Sequence, residues 1–157
     1  MPAHCHTLIL PDASATAQAA VTLGAYLRGG DLILMSGNVG AGKTHFARAL
    51  IQSRLNVVED VPSPTFTLVQ TYDSDLGEIW HADLYRLTSP QEIEELGLTD
   101  AFETAICLVE WPDRLGSLAP DHALSLDFTD GPERGARVLN AQWSDPKWTV
   151  KLAGWCP

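Results

Sequence analysis

Basic residues are scarce in this chain. Ten Lys and Arg stand against twenty Asp and Glu among 157 residues, a formal net charge of −10. Nucleic-acid backbones are gripped by Lys and Arg that displace counterions, so a chain this acidic, with no dense basic cluster, is not expected to bind RNA or DNA directly. Three cysteines, at positions 5, 107 and 156, are too few and too scattered for a disulfide framework or a Cys-x-x-Cys site. Cys5 lies between His4 and His6, but no further ligand cluster accompanies it, and an ordinary surface segment is the plainer reading. No apolar run approaches the ~20 residues of a membrane span. The start, MPAHCHTLILPDAS, has neither the basic head nor the long apolar stretch of a secretory signal. Internal repeats, low-complexity tracts and linkers are missing as well. A soluble, cytoplasmic protein with no membrane partner is expected, folded as one domain over residues 1–157.

What is present is sharper. Gly37 to Thr44 reads GNVGAGKT and fits G-x-x-x-x-G-K-T, the phosphate-cradling P-loop. Leu32 to Met35 before it is short, apolar and strand-like, and His45 to Ile51 after it reads as a helix. Glycines at 37, 40 and 42 let the backbone turn successive N–H groups inward without a side chain in the way. The helix N-terminus adds its dipole and unpaired N–H groups. Lys43 is placed to reach the β and γ phosphates and Thr44 to set its hydroxyl on Mg²⁺. The expected cradle is therefore Gly37, Asn38, Val39, Gly40, Ala41, Gly42, Lys43, Thr44 and His45, with a nucleoside triphosphate and Mg²⁺ as cofactors.

The rest of the chain alternates between helical and extended patterns. His6 to Leu10 reads as an edge strand ended by Pro11. A helix follows to about Leu27, capped by Asp12 or Ser14, with Ala20, Leu23, Ala25 and Leu27 on its buried face and Arg28-Gly29-Gly30 as its stop. Val61-Pro62-Ser63-Pro64 cannot continue a helix. Phe66 to Tyr72 and Glu78 to Leu84, joined by the turn Asp73 to Gly77, read as an antiparallel hairpin. Ser89, Pro90 and Glu92 open a short acidic helix, with serine as its cap. Ala105 to Trp111 is a buried strand, and Ala123 to Phe128 and Ala136 to Trp143 are two more, separated by a turn over Thr129 to Gly135. The fold class is α/β, a sandwich with a mixed sheet. Trp143, Trp148 and Trp155 make the tail tryptophan-rich; edge packing is the plainer reading and a partner-contact patch the alternative.

A P-loop needs a carboxylate for its metal, often at the end of an apolar strand. Ile79-Trp80-His81-Ala82 leads into Asp83, and Ile106-Cys107-Leu108-Val109 leads into Glu110. Both are candidates as metal ligands and catalytic groups, alongside Lys43, because α/β sheets bind ligands at the carboxyl ends of their strands. Thr65, in Pro62-Ser63-Pro64-Thr65-Phe66-Thr67, sits where a switch loop would touch Mg²⁺ or the γ phosphate. Trp111 is a candidate to stack on the ligand, and Arg86 to pair with phosphate or carboxylate.

Taken in order, GNVGAGKT, SPTFTLV (63–69), HADLYRL (81–87), EELG (94–97) and LVEWP (108–112) closely resemble the TsaE (YjeE) family of small bacterial P-loop ATPases. The likeness is strong from Leu32 to Leu115. It implies a P-loop NTPase-like mixed sheet, parallel at its centre with antiparallel flanks and helices on both faces, and a role in making N6-threonylcarbamoyladenosine at tRNA position 37. It also implies partners, TsaB and TsaD, on which ATP is hydrolysed to ADP to reset the complex between turnovers, so that tRNA is met only through that complex. By motif, Lys43 and Thr44 are the P-loop pair, Thr65 and Asp83 lie in switch-like segments, and Glu110 and Trp111 match a motif tied to ATPase function. Asn38 departs from the aspartate common there. Two other functions fit a P-loop: a small-molecule kinase, disfavoured by sparse late arginines (Arg114, Arg134, Arg137), and a non-catalytic ATP-gated interaction module.

Overall fold

The protein is described here from a computed structural model, covering residues 4–38, 40, 42–55, 59–75 and 77–155. Seven strands form one sheet: β1 (His4–Leu10), β2 (Leu32–Gly37), β3 (Val69–Ser74), β4 (Gly77–Asp83), β5 (Ile106–Glu110), β6 (Leu124–Asp130) and β7 (Arg137–Trp143). Their order is β1-β7-β6-β2-β5-β4-β3. The central pairs β6–β2, β2–β5 and β5–β4 are parallel, and β1–β7, β7–β6 and β4–β3 are antiparallel. This is the mixed sheet with parallel centre and antiparallel flanks expected from the sequence.

Side chains alternate across a strand, so a strand buried on both faces is apolar throughout. Ile33 and Met35 of β2, with Ile106 and Leu108 of β5, pack under α1 (Ala13–Gly24), α2 (Lys43–Arg54) and α5 (Pro146–Lys151), in a core that includes Leu23, Phe46 and Trp148. Leu32, Leu34, Cys107 and Val109 face the other way, toward α3 (Pro90–Glu95), α4 (Leu98–Thr104) and a 3₁₀ segment, Pro112–Leu118. Each fully buried large side chain contributes roughly 1.5–3 kcal/mol. Burial also disarms Cys107, whose thiol pKa is pushed up to about 12.

Several local expectations change. Helix α1 stops at Gly24, and Tyr26 and Leu27 close a tighter turn by donating to the carbonyls of Leu23 and Gly24, 3.0 and 3.3 Å away. That turn buries Leu27 but leaves Ala25 exposed. Asp12 is the cap, accepting from the Ala15 amide at 2.8 Å. The hairpin strand begins at Val69, not Phe66, because residues 65–67 form a turn and Leu68 takes φ 70°. Ser89 makes no capping bond to α3; Thr88 Oγ1 instead donates to Glu92 at 2.8 Å. Helices α4 and α5 were not foreseen. Helix α4 follows Gly97 at φ 82° and buries only Leu98, Ala101 and Phe102, too short a pattern to stand out.

The tryptophan-rich tail is edge packing. Trp143, Trp148 and Trp155 are all buried, and their indole N–H groups donate to Thr149 Oγ1, the His122 carbonyl and the Ala19 carbonyl at 2.9, 2.7 and 2.9 Å. An ion triad fastens α5 beneath β2: Lys147 and Lys151 lie 2.9 and 2.6 Å from the carboxylate of buried Asp31. Burial, the largest influence, would raise the Asp31 pKa. The two lysines and the Arg28 amide outweigh it and hold the carboxyl below its ordinary 3.8. A depressed carboxyl pKa stabilises the fold fully above its unfolded value, and that stability is lost as pH falls through the folded value. Asp31→Asn should therefore cost about 2–3 kcal/mol near pH 7, measured by urea unfolding. The difference from wild type should shrink as the pH is taken below about 4.

Candidate functional site

The site lies where β2, β4 and β5 end. Parallel pairing sets Met35 opposite Glu110 and Asp83 opposite Glu110, so two carboxylates stand abreast at the carboxyl edge of the sheet. Both are buried, at 5% and 2% exposure for Asp83 and Glu110. Beyond β2 the chain turns through Gly37, Gly40 and Gly42 at φ 138°, 82° and 104°, conformations that favour glycine, and enters α2 at Lys43. Val39 and Ala41 lie outside the described residues.

The turn delivers two side chains onto the acidic edge. Thr44 Oγ1 donates to Glu110, 2.9 Å from Oε1 and 3.2 Å from Oε2. Lys43 is 4% exposed, donates to the Gly37 carbonyl at 2.5 Å, and lies 3.6 Å from the centroid of the Trp111 ring. Burial lowers its pKa, while Glu110, Asp83 and Asp113 pull the other way and favour the ammonium. Trp111 can cover Lys43 because its backbone takes φ 60°, ψ 55°, turning the chain sharply after Glu110. Its ring also packs on Tyr85, centroids 4.8 Å apart.

The segment after α2 closes a third side. Thr65 Oγ1 donates to Asp83 Oδ2 at 3.3 Å and shares a 2.7 Å hydrogen bond with Ser63. The Leu68 amide donates to the Pro64 carbonyl, and the Asp83 amide to the Leu68 carbonyl, at 2.7 and 2.9 Å. Asp83 Oδ1 accepts from the Tyr85 amide at 3.0 Å. On the far side, His45 Nε2 donates to the Ala13 carbonyl at 3.0 Å, tying α2 to the start of α1. Arg137 Nη2 donates to the Gly40 carbonyl at 2.9 Å.

These groups enclose a cleft of about 510 Å³. Gly40, Gly42, Lys43, Thr44, His45, Thr65, Asp83, Glu110 and Trp111 all line it. Gly37 takes part through its carbonyl, and Asn38 is exposed and does not line the cleft. Arg86 is exposed outside the cleft, 5.5 Å from the Phe66 ring. Tyr85 and Arg137 line the cleft although neither was singled out for it. Nothing local in the sequence marks Arg137, which arrives from the strand two places away from β2. Among the described residues no cluster of three or more His, Cys, Asp and Glu side chains could cage a metal. Two carboxylates and two hydroxyls are instead a sparse oxygen set of the kind that could share a hard cation with phosphate.

Comparison with known proteins gives the family. Residues 10–138 match the family model described as "Threonylcarbamoyl adenosine biosynthesis protein TsaE". The chain belongs to the TsaE family. A Rickettsia felis protein named tRNA threonylcarbamoyladenosine biosynthesis protein TsaE is 42% identical over 134 residues, 84% of this chain and 78% of that one. Proteins of the same name from Haemophilus influenzae and Bacillus subtilis are 38% and 34% identical, over 63% and 65% of this chain and 64% and 63% of theirs. The crystal structure of Bacillus subtilis YdiB superposes with TM-score 0.82 at 22% identity, covering 99% of this chain and 96% of that one, a likeness of fold.

Arg137 is the cleft cation whose role the geometry makes testable. Arg137→Ala would free the Gly40 carbonyl and should loosen the glycine turn that follows β2. ADP binding, followed with a fluorescent analogue, should weaken by about tenfold, or roughly 1.4 kcal/mol.

Proposed function

We propose that this TsaE-family chain acts as one ATPase domain, binding ATP with Mg²⁺ and serving the threonylcarbamoylation of adenosine 37 in tRNA. The observation that carries the reading is the Thr44 hydroxyl on Glu110, with Asp83 abreast, directly beside the N-terminus of the P-loop helix. A phosphate chain seated on that helix would meet Lys43 and both carboxylates at once.

Roles follow from position. Glycine-loop amides hold the β phosphate, and Lys43 leaves the Gly37 carbonyl to neutralise charge growing on the γ oxygens. Thr44 and Glu110 would hold Mg²⁺, with Asp83 and Thr65 as further oxygens, and the bound ion would offset phosphate charge. Asp83 also orients the attacking water and couples the cleft to the Pro64–Leu68 turn through Thr65. The remaining volume, beside Ala13, Thr16, His45, Gly135 and Arg137, is left for the nucleoside.

Arg137 is the one arginine among the described residues lining the cleft, and it is committed to Gly40. The cation that completes the transition state therefore comes from a partner. TsaB and TsaD are the proposed partners, with tRNA met through them and the protein working in the cytoplasm. A docking role for the switch-like turn has its own support: Phe66, one residue from Thr65, is 83% exposed. Occupancy of the cleft would then gate docking, with hydrolysis releasing it.

Phosphate release from ATP and Mg²⁺ should be slow for the protein alone. It should rise by about 10²-fold, the scale of one transition-state donor, when TsaB and TsaD are added. Lys43→Ala should abolish it. A rate for the isolated protein equal to that of the mixture would defeat the partner-activated reading.

A further inference from the structure

His81 is a buried polar group to which the roles above assign nothing. It is fully buried in β4. Its Nε2 lies 2.7 Å from Glu110 Oε2, and its Nδ1 has no hydrogen-bond partner among the described residues. Strand register explains the meeting. His81 stands opposite Leu108 and Asp83 opposite Glu110, so all four share one face of the sheet and His81 is diagonal to Glu110.

The ring can serve the carboxylate in only one neutral form. Protonated at Nε2, it donates to Glu110 and leaves a bare acceptor at Nδ1. Protonated at Nδ1, it would set a lone pair against the carboxylate and bury an unpaired donor. An apolar side chain would fill this place with no orphaned nitrogen, so packing alone does not account for a histidine. The contact that does account for it is the one to Glu110. That carboxylate is bracketed, with the imidazole behind it and the Thr44 hydroxyl in front, 2.9 Å from Oε1.

We propose that His81 is a positioning residue: its Nε2–H fixes the plane of the Glu110 carboxylate so that the Thr44 side stays aimed at the metal and phosphate. The inference rests on the ATP–Mg²⁺ reading above. Hydrogen-bond partners behind metal-binding histidines and carboxylates act in this way elsewhere, and their loss typically costs 10–100-fold in metal affinity or activity.

The test compares wild type, His81→Leu, which removes the donor, and His81→Gln, whose amide nitrogen replaces it. The readout is the Mg²⁺ concentration that half-saturates binding of fluorescent ADP. It should rise about 10–100-fold in His81→Leu and return to within about threefold of wild type in His81→Gln. ADP affinity without Mg²⁺ should stay the same in all three. A second readout needs neither nucleotide nor metal: nitrogen-15 NMR of the His81 ring should show a proton on Nε2. Should His81→Leu fail to fold, the glutamine variant and the NMR measurement carry the test. A wild type without any Mg²⁺ response would sink the ATP–Mg²⁺ reading and this inference together. A normal Mg²⁺ response in wild type with an unchanged His81→Leu, or a ring with no proton on Nε2, would overturn this inference alone.

Discussion

Parallel pairing of β2, β5 and β4 is the constraint on which everything else in this molecule depends. The register that sets Glu110 between Met35 and Asp83 decides where the carboxylates end, and the three-glycine turn after β2 decides that Thr44 and Lys43 arrive above them. A one-residue slip of β5 would turn Glu110 to the opposite face, away from Thr44 and His81. The two apolar cores, one on each face, hold that register.

Electrostatics and backbone strain concentrate at the same edge. Two carboxylates side by side in a largely dry place repel each other, and the one buried ammonium close by, Lys43, is parked on Trp111 and a carbonyl. Trp111 and Leu68 both hold left-handed conformations that disfavour side-chain-bearing residues by about 1–2 kcal/mol each. Each flanks a carboxylate: Trp111 follows Glu110, and the Leu68 carbonyl takes the Asp83 amide. The fold tolerates these strained turns because the sheet beneath and the anchored C-terminal helix do not share in them. The proposed ATP site would have to change as nucleotide enters and leaves, and segments of low local stability suit that role.

Much of this was legible in the sequence, for identifiable reasons. The P-loop, its strand and its helix announce themselves because glycine spacing and apolar runs are local signals. Asp83 and Glu110 were legible because each ends an apolar strand. Whether both would enter one cleft depended on β4 and β5 being neighbours, which local patterning does not contain. The same limit hid Arg137, whose contact with Gly40 spans 97 residues. His81 had a usable signal, a histidine two residues before Asp83 and so on the same strand face, but its target is in another strand. Helix α5 was signalled by Asp145 and Pro146, a cap and a first-turn proline, yet its apolar pattern was too short to register. Phe66 misled because β-propensity cannot foresee a turn held by the Pro64 carbonyl.

The central claim is that Glu110 and Thr44 form the metal end of an ATP site. Calorimetric titration of ATP, with and without Mg²⁺, into wild type and Glu110→Gln tests it most directly. Wild type should bind ATP far more tightly with Mg²⁺, and Glu110→Gln should lose that gain while binding ATP alone as before. Equal ATP affinity with and without Mg²⁺ in wild type, or a full Mg²⁺ gain in Glu110→Gln, would contradict the account.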